Sequence, residues 1–217
     1  MTESRQGAFD LPVETRFGHG DFLVSQSNRP AFELVERWPD WPSAALALYG
    51  PPGSGKTHLA HLWCARSGGV LIDAAGLNDP ATLPLAVAVD DAERADERTL
   101  LHLYNMSRER GGSLLLTLPA PPAALVIGLA DLASRLRSLP VAGIAPPDDA
   151  LLIAVLLKHF GDRGIGVAPA VIAFLASRME RSFASAAALA AQLDRLSLES
   201  GRRVTIKMAR EVLTSDG

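Results

Sequence analysis

The chain has 217 residues, 48% of them hydrophobic and 21% charged, with a net charge of −3 and a single cysteine. That length supports one large core or two small ones, the composition excludes a disordered chain, and Cys64 alone excludes an internal disulfide framework or a Cys-rich metal site and fits a reducing cytosol. The slightly acidic total gives no support for a dedicated duplex-DNA binder, and an apolar run such as Leu151 to Leu157 falls short of the roughly 18–20 residues that span a bilayer.

Residues 1–20 read as a tail, with Gly18 and Gly20 near its end and one apolar cluster, Phe9-Asp10-Leu11-Pro12-Val13. Glu3, Arg5 and Asp10 stand where a signal peptide would need an apolar stretch. An α/β unit is expected over 21–145. It opens with a helix in which Ala31, Leu34, Val35 and Trp38 recur at helical spacing, with Asn28 as the candidate N-cap and Pro30 in the first turn. Ala45-Leu46-Ala47-Leu48-Tyr49 is a continuous apolar strand, followed by a Gly-rich loop and a helix from Lys56 to Arg66. Further strands are expected at 70–73, at 85–89 ending in Asp90-Asp91, at 114–117 and at 141–144. Between them lie an amphipathic helix from Glu97 to Arg110, stopped by Gly111-Gly112, and a short helix from Asp131 to Leu136. Strands apolar throughout and separated by helices predict a parallel sheet covered on both faces. After Ala145-Pro146-Pro147 the pattern is helical only, so 146–217 is expected to form a small all-helical domain. Its helices should run from Asp148 or Asp149 to Phe160, from Pro169 to Met179, from Ser182 to Ser200 and from Thr205 to Thr214.

Gly50-Pro51-Pro52-Gly53-Ser54-Gly55-Lys56-Thr57 matches the phosphate-binding P-loop in full. Glycines at that spacing let successive backbone N–H groups turn inward around phosphate oxygens, and the helix that follows adds the positive end of its dipole. Lys56 would reach the β- and γ-phosphates, and the Thr57 hydroxyl would ligate Mg²⁺. Asp90, at the tip of an apolar strand, fits the carboxylate that holds the metal, and Asp91 is the candidate base that orients an attacking water. His58 and His61 lie one turn apart on the P-loop helix with no third ligand in sight, so ordinary helix positions are expected there.

With these motifs the chain resembles the DnaA/Hda branch of the AAA+ ATPases, and within it the Hda type. The resemblance extends over nearly the whole chain. Asp21-Phe22-Leu23-Val24-Ser25, with Asn28 and Ala31, resembles the segment that lies against adenine and ribose. Gly55-Lys56-Thr57-His58-Leu59 and Val89-Asp90-Asp91-Ala92 are similar to the branch's forms of Walker A and Walker B. Leu115-Leu116-Thr117 resembles sensor 1, although Leu118 and Pro119 replace the usual polar pair. Asp131-Leu132-Ala133-Ser134-Arg135-Leu136 is similar to box VII, which makes Arg135 the candidate arginine finger; a solvated surface arginine is the plainer alternative. Arg181-Ser182-Phe183 resembles the sensor 2 region, which implies that Arg181 touches phosphate from the lid; an ion pair with Glu180 or Asp194 is the alternative.

The resemblance implies ADP or ATP with Mg²⁺ as cofactors, bound by Pro51, Pro52, Gly53, Ser54, Gly55, Lys56, Thr57, His58, Phe22, Leu23 and Arg181. Gly217 follows the expected lid with no room for a DNA-binding helix-turn-helix domain, which implies the Hda type rather than DnaA. Ala8-Phe9-Asp10-Leu11-Pro12-Val13 is similar to the Hda peptide that docks on the DNA polymerase sliding clamp, with Phe9, Leu11 and Pro12 as contacts; Ala8 stands where the pattern begins with Gln. The implied partners are DnaA, the clamp (beta subunit) and a second copy of the chain, without sequence-specific DNA binding or a membrane. The implied function is cytoplasmic regulation of replication initiation, in which Arg135 promotes hydrolysis of DnaA-bound ATP while the chain's own ATPase is weak or absent. A helicase loader that binds helicase and single-stranded DNA, an independent ATPase and a plain nucleotide-binding adaptor are the rival readings.

Overall fold

A computed structural model describes residues 22–215. Five strands form one parallel sheet: β1 (Ala45–Tyr49), β2 (Val70–Asp73), β3 (Ala86–Asp90), β4 (Ser113–Leu118) and β5 (Val141–Gly143), in the order β2-β3-β4-β1-β5. The helices are α1 (Arg29–Glu36), α2 (Lys56–Ser67), α3 (Glu97–Glu109), α4 (Ala130–Arg137), α5 (Asp149–Asp162), α6 (Pro169–Ala176), α7 (Phe183–Ser200) and α8 (Ile206–Ser215).

Alternation along each strand divides the α/β part into two cores, because successive side chains point to opposite faces. Ala45, Ala47, Val87, Val89, Leu114, Leu116 and Leu118 pack against Leu100 and Leu103 of α3 and Leu132 and Leu136 of α4. On the other face Leu46, Leu48, Ala88 and Leu115 meet Val35 of α1 and Leu59, Ala60 and Trp63 of α2. A third core lies within the helices α5 to α8, around Leu156, Phe160, Leu175, Leu189, Leu193 and Val212. The architecture is therefore the expected parallel α/β sheet followed by an all-helical lid. Among the described residues no helix is long and apolar enough to cross a membrane.

The differences from expectation are local. Asn28 does not cap α1: its side chain turns back, accepting from the Ser25 amide (2.8 Å) and donating to the Leu23 carbonyl (2.9 Å). The loop that carries Phe22 and Leu23 has buried amide groups of its own, and they outcompete the helix end for this side chain. β3 begins at Ala86, since Leu85 is half exposed and gives only its carbonyl to the Ser113 amide. α6 ends at Ala176 instead of Met179, where the Arg178 and Met179 amides both converge on the Leu175 carbonyl and tighten the chain out of the helix.

Register sets the functional edge. β4 lies between β1 and β3, pairing Leu48 with Thr117 and Val89 with Leu116. The carboxyl ends of β1, β3 and β4 therefore stand side by side, which is where open α/β sheets place their ligands.

Candidate functional site: the phosphate loop and its lid

The loop after β1 closes tightly. A side chain at Gly50 would collide with the Ile144 carbonyl oxygen. Gly53 (φ +69°) and Gly55 (φ +98°) adopt the left-handed conformation that turns the backbone back on itself. These two glycines also admit the lid: a Cβ at Gly53 would lie 2.8 Å from Ser182 Cβ, and one at Gly55 would lie 2.9 Å from Phe183 Cε2. The Phe183 amide donates to the Gly53 carbonyl (3.1 Å), so the first turn of α7 is stitched to the loop.

Inside the loop, Lys56 is buried, and its ammonium donates to the carbonyls of Gly50 (2.8 Å) and Pro51 (3.0 Å). Burial lowers its pKa, while Asp91, Asp90 and Glu93 act in the opposite sense. The Ser54 hydroxyl is buried with no hydrogen-bond partner among the described residues. A buried hydroxyl left unpaired costs about 1–3 kcal/mol. The left-handed glycines, the orphan hydroxyl and an ammonium with a donor to spare all fit a polyphosphate. Pro52 stands exposed on the crest of the loop.

The strand ends supply a carboxylate held at both oxygens. Thr57 Oγ1 donates to Asp90 Oδ2 (2.9 Å), and Thr117 Oγ1 donates to Asp90 Oδ1 (2.5 Å) while accepting from the Asp91 amide (3.0 Å). Asp90, Thr57 and Thr117 thus come together as a set. The hydroxyl and carboxylate oxygens of Thr57 and Asp90 are hard donors that suit Mg²⁺. Asp91 follows in the left-handed region (φ +50°), with its carboxylate 3.6 Å from Arg94. Glu93 lies beside Asp91, and burial raises its pKa; the sequence motifs do not mark it.

A cavity of about 550 Å³ opens over the loop. It brings together Phe22, Leu23, Gly53, Gly55, Lys56, Thr57 and His58, and it lies within the size range of nucleotide-scale pockets. Phe22 is stacked on Phe32 (5.6 Å between centroids) and meets the His58 ring edge-on (5.4 Å). The lid closes the other side with Val155, Lys158 and His159 of α5 and with Phe183 of α7. The three α5 residues were missed in the sequence. Their i, i+3, i+4 spacing marks one helix face, but no spacing says what that face meets.

Arg135 and Arg181 are not among the residues lining this cavity. Arg135, in the last turn of α4, donates from Nε and Nη2 to Asp131 (3.0 and 3.2 Å), and its guanidinium lies 5.5 Å from the centroid of the Tyr104 ring. No side chain of α4 caps that helix; the Glu97 carboxylate does so from α3, accepting from the amides of Gly128 (2.8 Å) and Leu129 (2.6 Å). Arg181 pairs with Asp149 (2.5 Å) and donates to the Pro147 carbonyl (3.2 Å), whereas Asp194 pairs with Arg163. Phe9, Leu11 and Pro12 lie outside the described residues.

A parallel sheet with a phosphate loop after β1, a carboxylate at the tip of β3 and a helical lid over the loop defines a P-loop protein of the AAA+ fold. Solved structures agree. Domain III of the Thermotoga maritima replication initiation protein DnaA superposes with a TM-score of 0.77 at 19% identity, covering 90% of this chain and 94% of that one. AMPPCP-bound DnaA from Aquifex aeolicus gives 0.67 at 19% identity, over 81% of this chain and 64% of that one. The Thermotoga maritima RuvB Holliday junction branch migration motor gives 0.69 at 15%, over 88% and 70%. Residues 149–213 match the family model described as the Hda lid domain. The helical part is thus similar to an Hda lid domain, and the α/β part shares its fold with DnaA domain III.

Proposed function

We propose that this chain is an Hda-like regulator of replication initiation that binds ADP or ATP and promotes hydrolysis of ATP held by DnaA. The match of its lid to the Hda lid domain carries the reading, since it distinguishes the chain from other proteins of the same fold. The nucleotide would lie along the loop 51–57, its phosphates on the backbone amides of residues 53–57, with Lys56 at the phosphates, His58 at the start of α2, and Phe22 and Leu23 against the nucleoside. Mg²⁺ would be held by Thr57 and Asp90 and would neutralise charge on the phosphate oxygens. Asp91 stands beside Asp90 as the candidate base for any turnover of the chain's own nucleotide. Arg181, next in sequence to Ser182 at the loop, would have to leave Asp149 and the Pro147 carbonyl to touch phosphate.

Arg135 is the group offered to a neighbour. An arginine placed against a neighbouring γ-phosphate stabilises charge that builds in the transition state, an effect worth roughly 10³–10⁵ in rate in known cases. Its pair with Asp131 is only partly buried and contributes about 0.3–0.5 kcal/mol, as an i,i+4 pair does, so the finger is parked rather than locked. Phe9, Leu11 and Pro12 would hold the chain on the sliding clamp and so raise its local concentration beside DnaA.

The test mixes the full chain with clamp, DNA and ATP-loaded DnaA. Accelerated hydrolysis is expected, with Arg135→Ala reducing it to background while nucleotide affinity stays unchanged. Stimulation by Arg135→Ala equal to that of the parent chain would overturn the assignment.

A further inference from the structure

The lid wall of the cavity carries chemistry that the phosphate-loop motifs do not explain. Val155, Lys158 and His159 occupy one face of α5, across the cavity from Phe22, Leu23 and His58. Among the described residues no carboxylate lines the cavity, and the Lys and Arg side chains lining it are Lys56 and Lys158, one from each domain. Lys158 is parked on Asp162 (2.9 Å), one turn further along α5, and Asp162 is not part of the cavity wall. The His159 imidazole is half buried; burial, followed by the nearby Arg163 and Lys158, lowers its pKa. A neutral imidazole offers one donor and one acceptor, the set that recognises a nucleobase or ribose edge. Arg181, by contrast, spends its guanidinium on Asp149 and Pro147 beside a different cavity, lined by Ser25, Gln26, Asp148, Asp149 and Ala150.

We propose that Lys158 and His159 are nucleotide-binding residues, forming the lid's half of the adenine nucleotide site. Lys158 exchanges its partly exposed partner Asp162 for the nucleotide, and His159 hydrogen-bonds the part of the ligand that extends beyond the loop. Bound nucleotide then ties α5 to the loop, next to the tie that α7 already makes through Phe183. This rests on the nucleotide reading above and adds a second, lid-borne set of contacts to it.

Titration calorimetry of the full chain with Mg-ADP and Mg-ATP, beside thermal melts with and without nucleotide, tests it. Lys158→Ala and His159→Ala should each weaken binding roughly five- to tenfold, the size of one hydrogen bond or partly screened charge, and should shrink the nucleotide-induced rise in Tm without lowering Tm of the free chain. His159→Asn should recover part of the loss, because its amide keeps a donor and an acceptor. Asp162→Ala should bind as tightly as the parent chain or more so. Unchanged affinity in both Lys158→Ala and His159→Ala would overturn the proposal, and a loss confined to Arg181→Ala would give the lid contact to that arginine instead. A parent chain that shows neither heat nor thermal protection would instead remove the nucleotide reading itself.

Discussion

The two walls of the cavity over the loop are held by forces of different stiffness. On the sheet side the functional groups are placed by strand register. Asp90 is gripped by Thr57 and Thr117, Thr117 also takes the Asp91 amide, and the β4 threonine is fully buried. On the lid side the charged groups are held by exposed ion pairs: Lys158 on Asp162 and Arg181 on Asp149. Moving a strand end means breaking a packed sheet, while moving a lid cation means exchanging one surface partner for another. The result is a rigid floor under an adjustable cationic roof.

The contrast can be broken at several points. Leu115→Ala, in the sheet core, should cost about 2–5 kcal/mol in chemical denaturation; a loss under about 1 kcal/mol would mean that the floor is softer than its packing implies. Thr117→Val keeps the shape but leaves Asp90 Oδ1 and the Asp91 amide short of a partner, and should cost about 1–3 kcal/mol and weaken the Mg²⁺ dependence of nucleotide binding. Glu97→Ala removes the carboxylate that, among the described residues, accepts from the amides leading into α4, and should cost about 0.5–2 kcal/mol. It should also blunt stimulation of DnaA by unsettling Arg135, with Glu97→Gln closer to the parent; an assay in which Glu97→Ala stimulates normally would disconnect the cap from the finger. Asp162→Ala, on the roof, should leave the denaturation midpoint almost unchanged, as loss of one exposed pair does.

Cys64 sharpens the same comparison kinetically. Its thiol is buried on α2 against the sheet, and burial pushes its pKa up to about 11. The thiolate fraction is therefore small through pH 8 and should grow only as the pH approaches that value, so alkylation of the folded chain should be slow and report opening of the sheet half. Rapid labelling at pH 8 under native conditions would show that α2 opens as easily as the lid.

Much of the fold was legible because its signals are local. The apolar runs at Ala45–Tyr49 and Ser113–Leu118 announce strands buried on both faces, and Gly50 to Thr57 announces a tight loop of the phosphate-binding pattern. Asp90 was legible as the end of such a strand. Asn28 was misread because a cap and a loop staple look alike in sequence, and only the folded loop offered it the Ser25 amide. Thr117 was legible as polar at the end of a strand; its grip on Asp90 follows from the β3–β4 register.

By itself the sequence determined the strand–loop–helix unit and the helical character of residues after Pro147, since hydrophobic period, glycine placement and helix stops act over a few residues. Tertiary structure alone decided that α5 turns Val155, Lys158 and His159 toward the loop, that Glu97 caps a helix more than thirty positions away, and that Arg181 rests on Asp149. Those pairings join segments distant in the chain, and their energies exist only once the sheet and lid have packed.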